Sequence, residues 1–370
     1  MARPYEEPLP TRKRLFILYS PQPDTISGLL NHTLGGILQI TLHTDRDVFD
    51  HLHGEWNALL KRSSANLIFL TWEWQSTWWD AYQAGDLWLV TCRSDDGTLV
   101  GIAPWFIENR ADERVLRTIG CVDVTDYVDI IVSAQDIEAV VTELSAFLAT
   151  HRQAYTRINL CNIQESSPTL KYFPKQLQLH GFSVEVELQE VCPIITLPAD
   201  WEAYLESLDK KQRHELRRKI RRMEGEQVER MVVGADADIE VETERFLGLM
   251  RASHPDKALF LENPRNATFF RNVIRLLHTS GWLQISFLVI NGLPSAAYCN
   301  FDYDGRILIY NSGLVPDENA QLSPGIVLLC YDIQSAIKAE RAAFDFLRGN
   351  ETYKYRMGAK ETQVFKLKAN

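Results

Sequence analysis

The chain has 370 residues, which is too long for one ordinary hydrophobic core and predicts two domains. Hydrophobic residues make up 45% of the sequence and aromatic residues 10%, so we expect a globular protein rather than a disordered one. The formal net charge of −10 argues against broad affinity for DNA or membranes, although it leaves room for a local basic patch.

The cysteines and the apolar runs exclude further classes. The six cysteines are widely spaced and form no C-x-x-C pair, so we expect neither a metal site nor a disulfide framework. No apolar run approaches the ~20 residues that span a membrane. The basic stretch Arg12–Arg14 precedes too few apolar residues for a signal peptide, which favours a cytoplasmic protein. Residues 1–36 are rich in proline and polar residues and predict a flexible leader.

The next part of the chain predicts alternating helices and strands. Helical spacing indicates a helix over residues 45–60, and Thr71 is a suitable N-cap for a second helix that is rich in tryptophan. We interpret its aromatic residues as core rather than as a platform for stacking sugars. Those expected on the buried side are Trp72, Trp79 and Tyr82.

A hairpin is predicted over residues 87–107, with its turn at Asp95–Gly97, and a third strand is predicted at residues 115–119. The pattern then predicts two more helices and two more strands before the second half begins. They are helices at 134–149 and 170–179 and strands at 157–160 and 182–186.

The second half begins near residue 191 with a strand and a helix capped by Asp200. Lys210–Arg222 then holds eight lysines and arginines against one glutamate, and its spacing predicts a helix with a narrow apolar stripe and a broad basic face. This basic helix, residues 207–223, either attracts phosphates of CoA, a nucleotide or tRNA, or is a solvated helix neutralised by nearby glutamates. The polar residues around His254 predict a loop.

The segment 282–358 organises the rest of the chain. Asn291–Gly292 and Asp304–Gly305 predict two tight turns that join three strands. Ser323 followed by Pro324 predicts the start of a helix, whose first backbone N–H groups have no partner within it and favour an anion. The same residues are also those of an ordinary, well-capped helix.

This order resembles the GNAT N-acyltransferases, and most closely their CelD-like branch, which is related to the FemAB-like two-lobed transferases. The resemblance implies an α/β (α+β) fold with tandem GNAT-like lobes, residues 37–190 and 191–370, each a mixed, mainly antiparallel sheet flanked by helices. It rests on Ser323–Gly325, Phe344–Gly349, Tyr353–Lys354, Leu99–Pro104, Thr118–Gly120 and Asp126–Asp129.

The resemblance also implies a donor site. In that family the helix after the central hairpin receives the pyrophosphate of acyl-CoA at its N-terminus, so Ser323, Gly325 and Ile326 are candidate cofactor-binding residues. Lys354 matches a Tyr-Lys element of the family and is a candidate ligand for a phosphate or an acceptor carboxylate; it is equally compatible with a surface lysine.

Acyl transfer to an amine further needs a proton acceptor and a place for the substrate. Asp126 and Asp129, which flank Tyr127, are the candidate catalytic residues, although each aspartate also suits the cap of a turn. His254 and Tyr353 are candidate substrate-binding residues; a loop histidine is also commonly a solvent-facing residue.

Three functions follow. The first is an N-acyltransferase that uses acyl-CoA and a small-molecule amine acceptor, such as an amino sugar in cell-surface polysaccharide biosynthesis. The second is a FemAB-like transferase that uses aminoacyl-tRNA. The third is a non-catalytic binding protein of the same fold, which is favoured by Pro324 and Ile326 at positions where small residues would let the backbone approach a phosphate.

Overall fold

The computed structural model describes residues 38–121, 124–315 and 319–370, and the expected leader over residues 1–36 lies outside them. The first half of the described chain ends at residue 196. Its elements are β1 (Gln39–His43), α1 (Val48–Leu60), α2 (Trp72–Tyr82), β2 (Asp86–Leu87), β3 (Leu89–Arg93), β4 (Leu99–Ala103), β5 (Trp105–Asn109), β6 (Arg114–Thr118), β7 (Ile131–Val132), α3 (Ile137–Thr150), β8 (Arg157–Gln164), α4 (Pro168–Leu179) and β9 (Val184–Thr196).

The second half repeats this order after two connecting helices. Its elements are α5 (Trp201–Ser207), α6 (Lys210–Met223), β10 (Val228–Val232), α7 (Ile239–Ser253), α8 (Pro255–Glu262), α9 (Pro264–Thr279), β11 (Leu283–Ile290), β12 (Leu293–Tyr303), β13 (Arg306–Leu314), α10 (Pro324–Lys338), β14 (Ala343–Asp345), α11 (Thr352–Arg356) and β15 (Lys360–Ala369).

Helix starts follow local capping chemistry. Helices α4, α8, α9 and α10 each begin with a proline that follows a polar residue, and proline suits this position because its missing N–H would have no partner there. Thr71, Asp200 and Asp209 cap α2, α5 and α6 through their side-chain oxygens, as the sequence predicted for Thr71 and Asp200.

The two halves exchange their last strands. An 11-stranded sheet has the order β10-β11-β12-β13-β14-β9-β15-β8-β6-β5-β2. Within it, β9 of the first half pairs with β14 of the second, and β15 of the second half pairs with β8 of the first. Strands β9 and β15 lie side by side, antiparallel, from Lys360↔Ile194 to Ala369↔Val184. Neither half therefore completes its sheet without a strand of the other.

The remaining strands form a separate four-stranded sheet in the order β1-β3-β4-β7. It belongs to the first half, where Pro104 interrupts the long strand that β4 and β5 would otherwise form. In the second half, β11, β12 and β13 pair antiparallel in sequence order, with one register shift in each pairing. The repeat is therefore one of element order with local differences.

Three hydrophobic clusters fill the fold. One packs side chains of both halves together, and Trp74 on α2 lies at its centre, with ring centroids 5.2 Å from Phe269, 5.7 Å from Phe301 and 5.3 Å from Tyr310. The other two underlie the first half and the second half separately. The shared cluster and the exchanged strands hold the halves together.

The aromatic side of α2 differs from the one predicted. Trp74 and Trp78 are fully buried and Trp79 is nearly so, whereas Trp72 and Tyr82 are only partly buried. The prediction of a core position is confirmed for Trp79, whereas Trp74 and Trp78 are more deeply buried than the predicted Trp72 and Tyr82. The prediction assumed one packing surface, but α2 packs against α9 of the second half as well as against α1 of its own half.

Other predicted elements change in extent. The strands predicted near 182–186 and 191–197 are one strand, β9, so the proposed domain boundary at residue 190 falls within it. The polar segment around His254 is not a loop but the start of α8. Strands β10 and β15 were not predicted. Among the described residues, no helix is long and apolar enough to cross a membrane.

We expect β15 to be essential for stability because it supplies the core of the first half from the far end of the chain. Leu367 is fully buried, so Leu367→Ala should lower the free energy of unfolding by about 2–5 kcal/mol. Lys366→Ala, at the neighbouring partly exposed position, is the control. Chemical denaturation measures both, and equal losses would contradict the role given to β15.

Candidate active site

A wedge-shaped opening lies between β13 and β14. These parallel strands pair from Arg306↔Ala343 to Leu308↔Asp345 and then part. Strand β13 runs on to Leu314, while the chain after β14 follows β9 instead, with the Phe346 N–H donating to the Pro193 carbonyl at 3.0 Å. The parted strands leave backbone groups of β13 without a strand partner on that side.

A bulge in β13 fixes one wall of the opening. Cys299 is opposite Asn311 and Asn300 is opposite Ile309, so Tyr310 is the extra residue. The Tyr310 hydroxyl donates to the Val124 carbonyl of the first half at 2.9 Å. The position of this wall therefore depends on contact between the halves.

The N-terminus of α10 lies beside the end of β13 and meets the basic helix α6. Ser323 occupies the N-cap position, but its φ is 56° and its side chain caps no helical N–H, which corrects the capping role predicted for it. Its Oγ instead accepts a hydrogen bond from Lys219 Nζ at 2.5 Å. Arg222 Nη1 lies 3.5 Å from the Gln321 carbonyl. Two cations of α6 thus approach the end of α10 that favours an anion.

Gly325 and Ile326 position this helix end. A Cβ atom at Gly325 would lie 3.0 Å from Leu314 Cδ2, and the Tyr298 hydroxyl donates to the Gly325 carbonyl at 3.3 Å. The side chain of Ile326 packs against the core of the second half. Their side-chain positions therefore serve packing, and only their backbone N–H groups are available to a ligand.

Lys354 and Tyr353 lie on α11, at the other wall. Lys354 is 3% exposed, and its Nζ lies 2.8 Å from the Arg348 carbonyl, 3.2 Å from the Gly349 carbonyl and 2.9 Å from Glu351 Oε2. Its three protons thus all have protein acceptors. The ring of Tyr353 packs edge-on against Phe346 at 6.0 Å. In this structure both residues stabilise the loop after β14, and their ligand-binding roles stay predictions.

Asp126 and Tyr127 join the two halves next to the opening. Arg348 Nε donates to Asp126 Oδ1 at 2.8 Å, and the Tyr127 hydroxyl donates to Asp345 Oδ1 at 3.0 Å. Asp345 is fully buried, and this burial raises its pKa to about 6, opposed by the bonds from the Leu347 N–H and from Tyr127. Asp126 is held by a guanidinium, so its place in catalysis stays a prediction.

Asp129 belongs to a different network. It accepts hydrogen bonds from Ser167 Oγ, from Thr169 Oγ1 at 2.6 Å and from the Ile130 N–H at 2.8 Å, all within the first half. Burial raises its pKa to about 6. Because Ser167 caps α4, Asp129 fixes the start of that helix. The structure brings Asp126 and Tyr127 to the boundary of the halves but does not add Asp129 to them.

His254 is an exposed N-cap, and its Nδ1 accepts the Asp256 N–H at 3.2 Å. Sequence reasoning missed the residue that α8 presents to β13, which is Lys257. Its Nζ lies 2.6 Å from the Ser312 carbonyl and 3.2 Å from Ser312 Oγ, and burial lowers its pKa to about 8. The available signal was the pair His254–Pro255, which is typical of a helix start and places Lys257 in the first turn of that helix.

The cysteines were expected to form no disulfide framework, and one pair departs from this expectation. Cys121 and Cys161 form a disulfide with their Cα atoms 6.0 Å apart, which spacing along the sequence could not reveal because the fold brings them together. The other four cysteines are buried thiols. Among the described residues, no group of three or more His, Cys, Asp or Glu side chains could hold a metal ion.

Two cavities lie away from the opening. One of about 690 Å³ is lined by Arg46, Trp79, Trp88 and Arg114 at the edge of the first half. The other, of about 300 Å³, lies beside Arg230 and α10. The cations of the first are already paired, Arg46 with Asp50 and Asp80, and Arg114 with Asp86. Neither cavity contains the candidate residues, and we base the site on the parted strands.

Comparison with known proteins bears on the kind of domain in the second half. Residues 210–355 match the family model described as an acetyltransferase (GNAT) domain, and these limits run from α6 into α11. The match supports the GNAT superfamily and an acyltransferase type of enzyme. A comparison with curated proteins found none that matches.

Solved structures share the fold of most of the chain. FemX is 12% identical, with a TM-score of 0.60 and coverage of 85% of this chain and 95% of that one. A conserved protein of unknown function from Bacteroides thetaiotaomicron VPI-5482 is 12% identical, with a TM-score of 0.55 and coverage of 90% and 99%. L-PGS from Bacillus licheniformis is 12% identical, with a TM-score of 0.52 and coverage of 88% and 91%. The chain has a two-lobed GNAT fold.

We expect Asp345 to make stability depend on pH. Its pKa is raised from 3.8 to about 6 in the folded state, so it favours folding fully at low pH, and this contribution is lost as the pH rises through about 6. In Asp345→Asn the amide oxygen still accepts both hydrogen bonds. The change in unfolding free energy between pH 4.5 and pH 7 should differ from that of the unmodified protein by on the order of 2 kcal/mol.

Chemical denaturation at the two pH values measures this difference. An unchanged pH dependence in Asp345→Asn would show that the carboxyl group ionises in the folded protein as readily as in the unfolded one.

Proposed function

We propose that the protein is an N-acyltransferase that moves an acyl group from acyl-CoA to an amine in the opening between β13 and β14. The observation that carries the proposal is the contact of α6 with the N-terminus of α10. The unpaired N–H groups of that helix end and the ammonium of Lys219 favour the same ligand, an anion such as the diphosphate of CoA.

The first half does not offer an equivalent donor site. Its corresponding helix, α3, has Asp136 at the N-cap and Glu138 in the first turn. These carboxylates lie at the helix end where a phosphate would bind. They repel a phosphate, because both groups are negatively charged. The opening of the second half is therefore the site that we assign to the donor, and the first half supplies the contacts that hold it.

The chemistry of acyl transfer suits such an opening. An amine attacks the thioester carbonyl, negative charge develops on the carbonyl oxygen, and a backbone N–H can stabilise it. Strand β13 has backbone groups beyond Leu308 that no longer face a strand partner on the β14 side. The enzyme then contributes mainly orientation and electrostatic stabilisation, which needs no protein nucleophile.

The acceptor follows from the resemblance rather than from a pocket. We propose a small-molecule amine, with an amino sugar of cell-surface polysaccharide biosynthesis as the first class to test. Since acyl-CoA is a cytoplasmic metabolite, the reaction is placed in the cytoplasm. His254 and Tyr353 remain the proposed substrate contacts, together with Asp126 and Tyr127 at the boundary of the halves.

A specific observation favours the second candidate, transfer from aminoacyl-tRNA. Arg217 and Arg218 of α6 are paired with Glu202 and Glu215. Lys219 also lies 3.4 Å from Glu215. Among the described residues, the other five cations of α6 form no ion pair with a carboxylate, and Arg222 is the one of them that contacts the segment before α10. The other four leave a basic surface: Lys210, Lys211, Arg213 and Arg221. A polyanion would bind such a face and a single CoA would not need it.

We expect Lys219→Ala to weaken CoA binding about tenfold, which corresponds to roughly 1.4 kcal/mol for one charge-assisted hydrogen bond. Lys211→Ala, at the other end of α6, is the matched control and should leave the affinity unchanged. Isothermal titration calorimetry with CoA measures both. If the two variants bind alike, the phosphate does not lie at α10.

Salt dependence separates the two donors. A CoA donor should lose affinity only gradually as salt rises, whereas a tRNA donor should show a slope of roughly −0.7 to −0.9 per neutralised phosphate. We expect the gradual dependence, with CoA binding weakened only modestly in the triple variant Arg217→Glu, Arg218→Glu, Arg221→Glu. Tight, salt-sensitive binding of aminoacyl-tRNA that the triple variant abolishes would favour the second candidate.

A further inference from the structure

Lys257 contacts β13, one wall of the opening. Its Nζ is bonded to Ser312 on β13, beyond the point at Leu308 where β13 and β14 part. Burial lowers the pKa of Lys257, and the charge of Glu351, in the loop after β14, opposes this by raising it. The side chain therefore reaches from α8 to the part of β13 that no longer pairs with β14.

This lysine lacks a carboxylate partner of its own. Glu351 Oε2 is bonded to Lys354 Nζ at 2.9 Å, and no ion pair with Lys257 occurs among the described residues. Of the charged side chains of α7 and α9, the helices that pack against α8, Arg245 pairs with Glu242 and Arg271 with Glu244. Among the described residues, no charged side chain of either helix forms an ion pair with Lys257. A half-buried ammonium without a counter-charge favours its neutral form.

The protein's own geometry leaves Lys257 able to act on a ligand. The carbonyl and the hydroxyl of Ser312 account for two of its hydrogen bonds, which leaves one direction at Nζ unassigned. Desolvation lowers its pKa to about 8, so a large fraction of the amine is neutral at slightly alkaline pH. A neutral amine at this place can accept a proton.

Resting on the function proposed above, we propose that Lys257 is the proton acceptor for the acceptor amine. The neutral Nζ takes a proton from the acceptor's ammonium group, which becomes a free amine. The amine nitrogen attacks the thioester carbonyl, a C–N bond forms and the C–S bond breaks. The surplus proton on nitrogen passes to the leaving thiolate to give the free thiol of CoA, and Lys257 returns its proton to water.

Other titratable groups near the opening suit this step less well. Asp126 is paired with Arg348, and the carboxyl group of Asp345 is buried against Tyr127. The imidazole of His254 is bonded to its own helix and is exposed. An alkylammonium acceptor has a pKa of roughly 10, and a base is most effective when its pKa lies close to the working pH, as that of Lys257 does.

The test compares Lys257→Met, Lys257→Arg and the exposed control Lys175→Met. With acetyl-CoA and a panel of amino sugars and primary amines, thiol release is followed as kcat/KM against pH. We expect a rise controlled by a group near pH 8 in the unmodified protein, and a loss of about a hundredfold or more in Lys257→Met. Arginine stays protonated, so Lys257→Arg should not restore activity, whereas added small amines should partly restore it in Lys257→Met.

Protonation is measured separately by NMR of the protein with carbon-13 dimethylated lysines, where Lys257→Arg identifies the signal. We expect a midpoint near pH 8, against about 10.4 for an ordinary lysine. Full activity in Lys257→Arg, or an unchanged pH profile in Lys257→Met, would overturn the role as proton acceptor while leaving the proposed function intact. Absence of turnover in the unmodified protein, with the midpoint still near pH 8, would overturn the proposed function and with it the catalytic role.

Discussion

The antiparallel pairing of β9 with β15 is the constraint on which the rest of the structure depends. Each of these strands follows one half of the chain and completes the sheet of the other, through β14 and β8. Main-chain hydrogen bonds fix their register, and a shift by one residue would turn buried Leu367 toward the opposite face. Because the exchange is reciprocal, the two halves are held in one orientation without a covalent link beyond the chain itself.

That orientation builds the candidate active site. Strand β14 pairs with β9 on one edge and with β13 over only three residue pairs on the other. Helix α10 connects these two parallel strands, which separate beyond Leu308 and Asp345. The first half fixes the position of both walls by hydrogen bonds. The Tyr310 hydroxyl donates to the Val124 carbonyl, and Arg348 donates to Asp126. One half thus has the opening, and the other half sets its shape. The acidic start of α3 explains why we assign the donor to only one of two related helices.

Local signals predicted much of this fold. Asn291 and Gly292 adopt the left-handed backbone that their turn demands, with φ of 51° and 82°, and Pro324 begins α10 as expected. What the sequence could not reveal are contacts between distant residues. The bond from Lys219 to Ser323, the disulfide and the approach of Lys257 to Ser312 all depend on how elements pack. Strand β15 was missed although apolar and charged residues alternate along Phe365–Lys368, because its partners lie in the other half.

We propose that the opening of the second half binds the donor, with its phosphates at the start of α10. Hydrogen–deuterium exchange with and without CoA tests this most directly, because the N–H groups concerned are those that would bond to phosphate. We expect slower exchange at residues 323–327 and 309–314 on addition of CoA, and no change at residues 133–140 at the start of α3. Protection at the start of α3, or no protection at the start of α10 at saturating CoA, would contradict it.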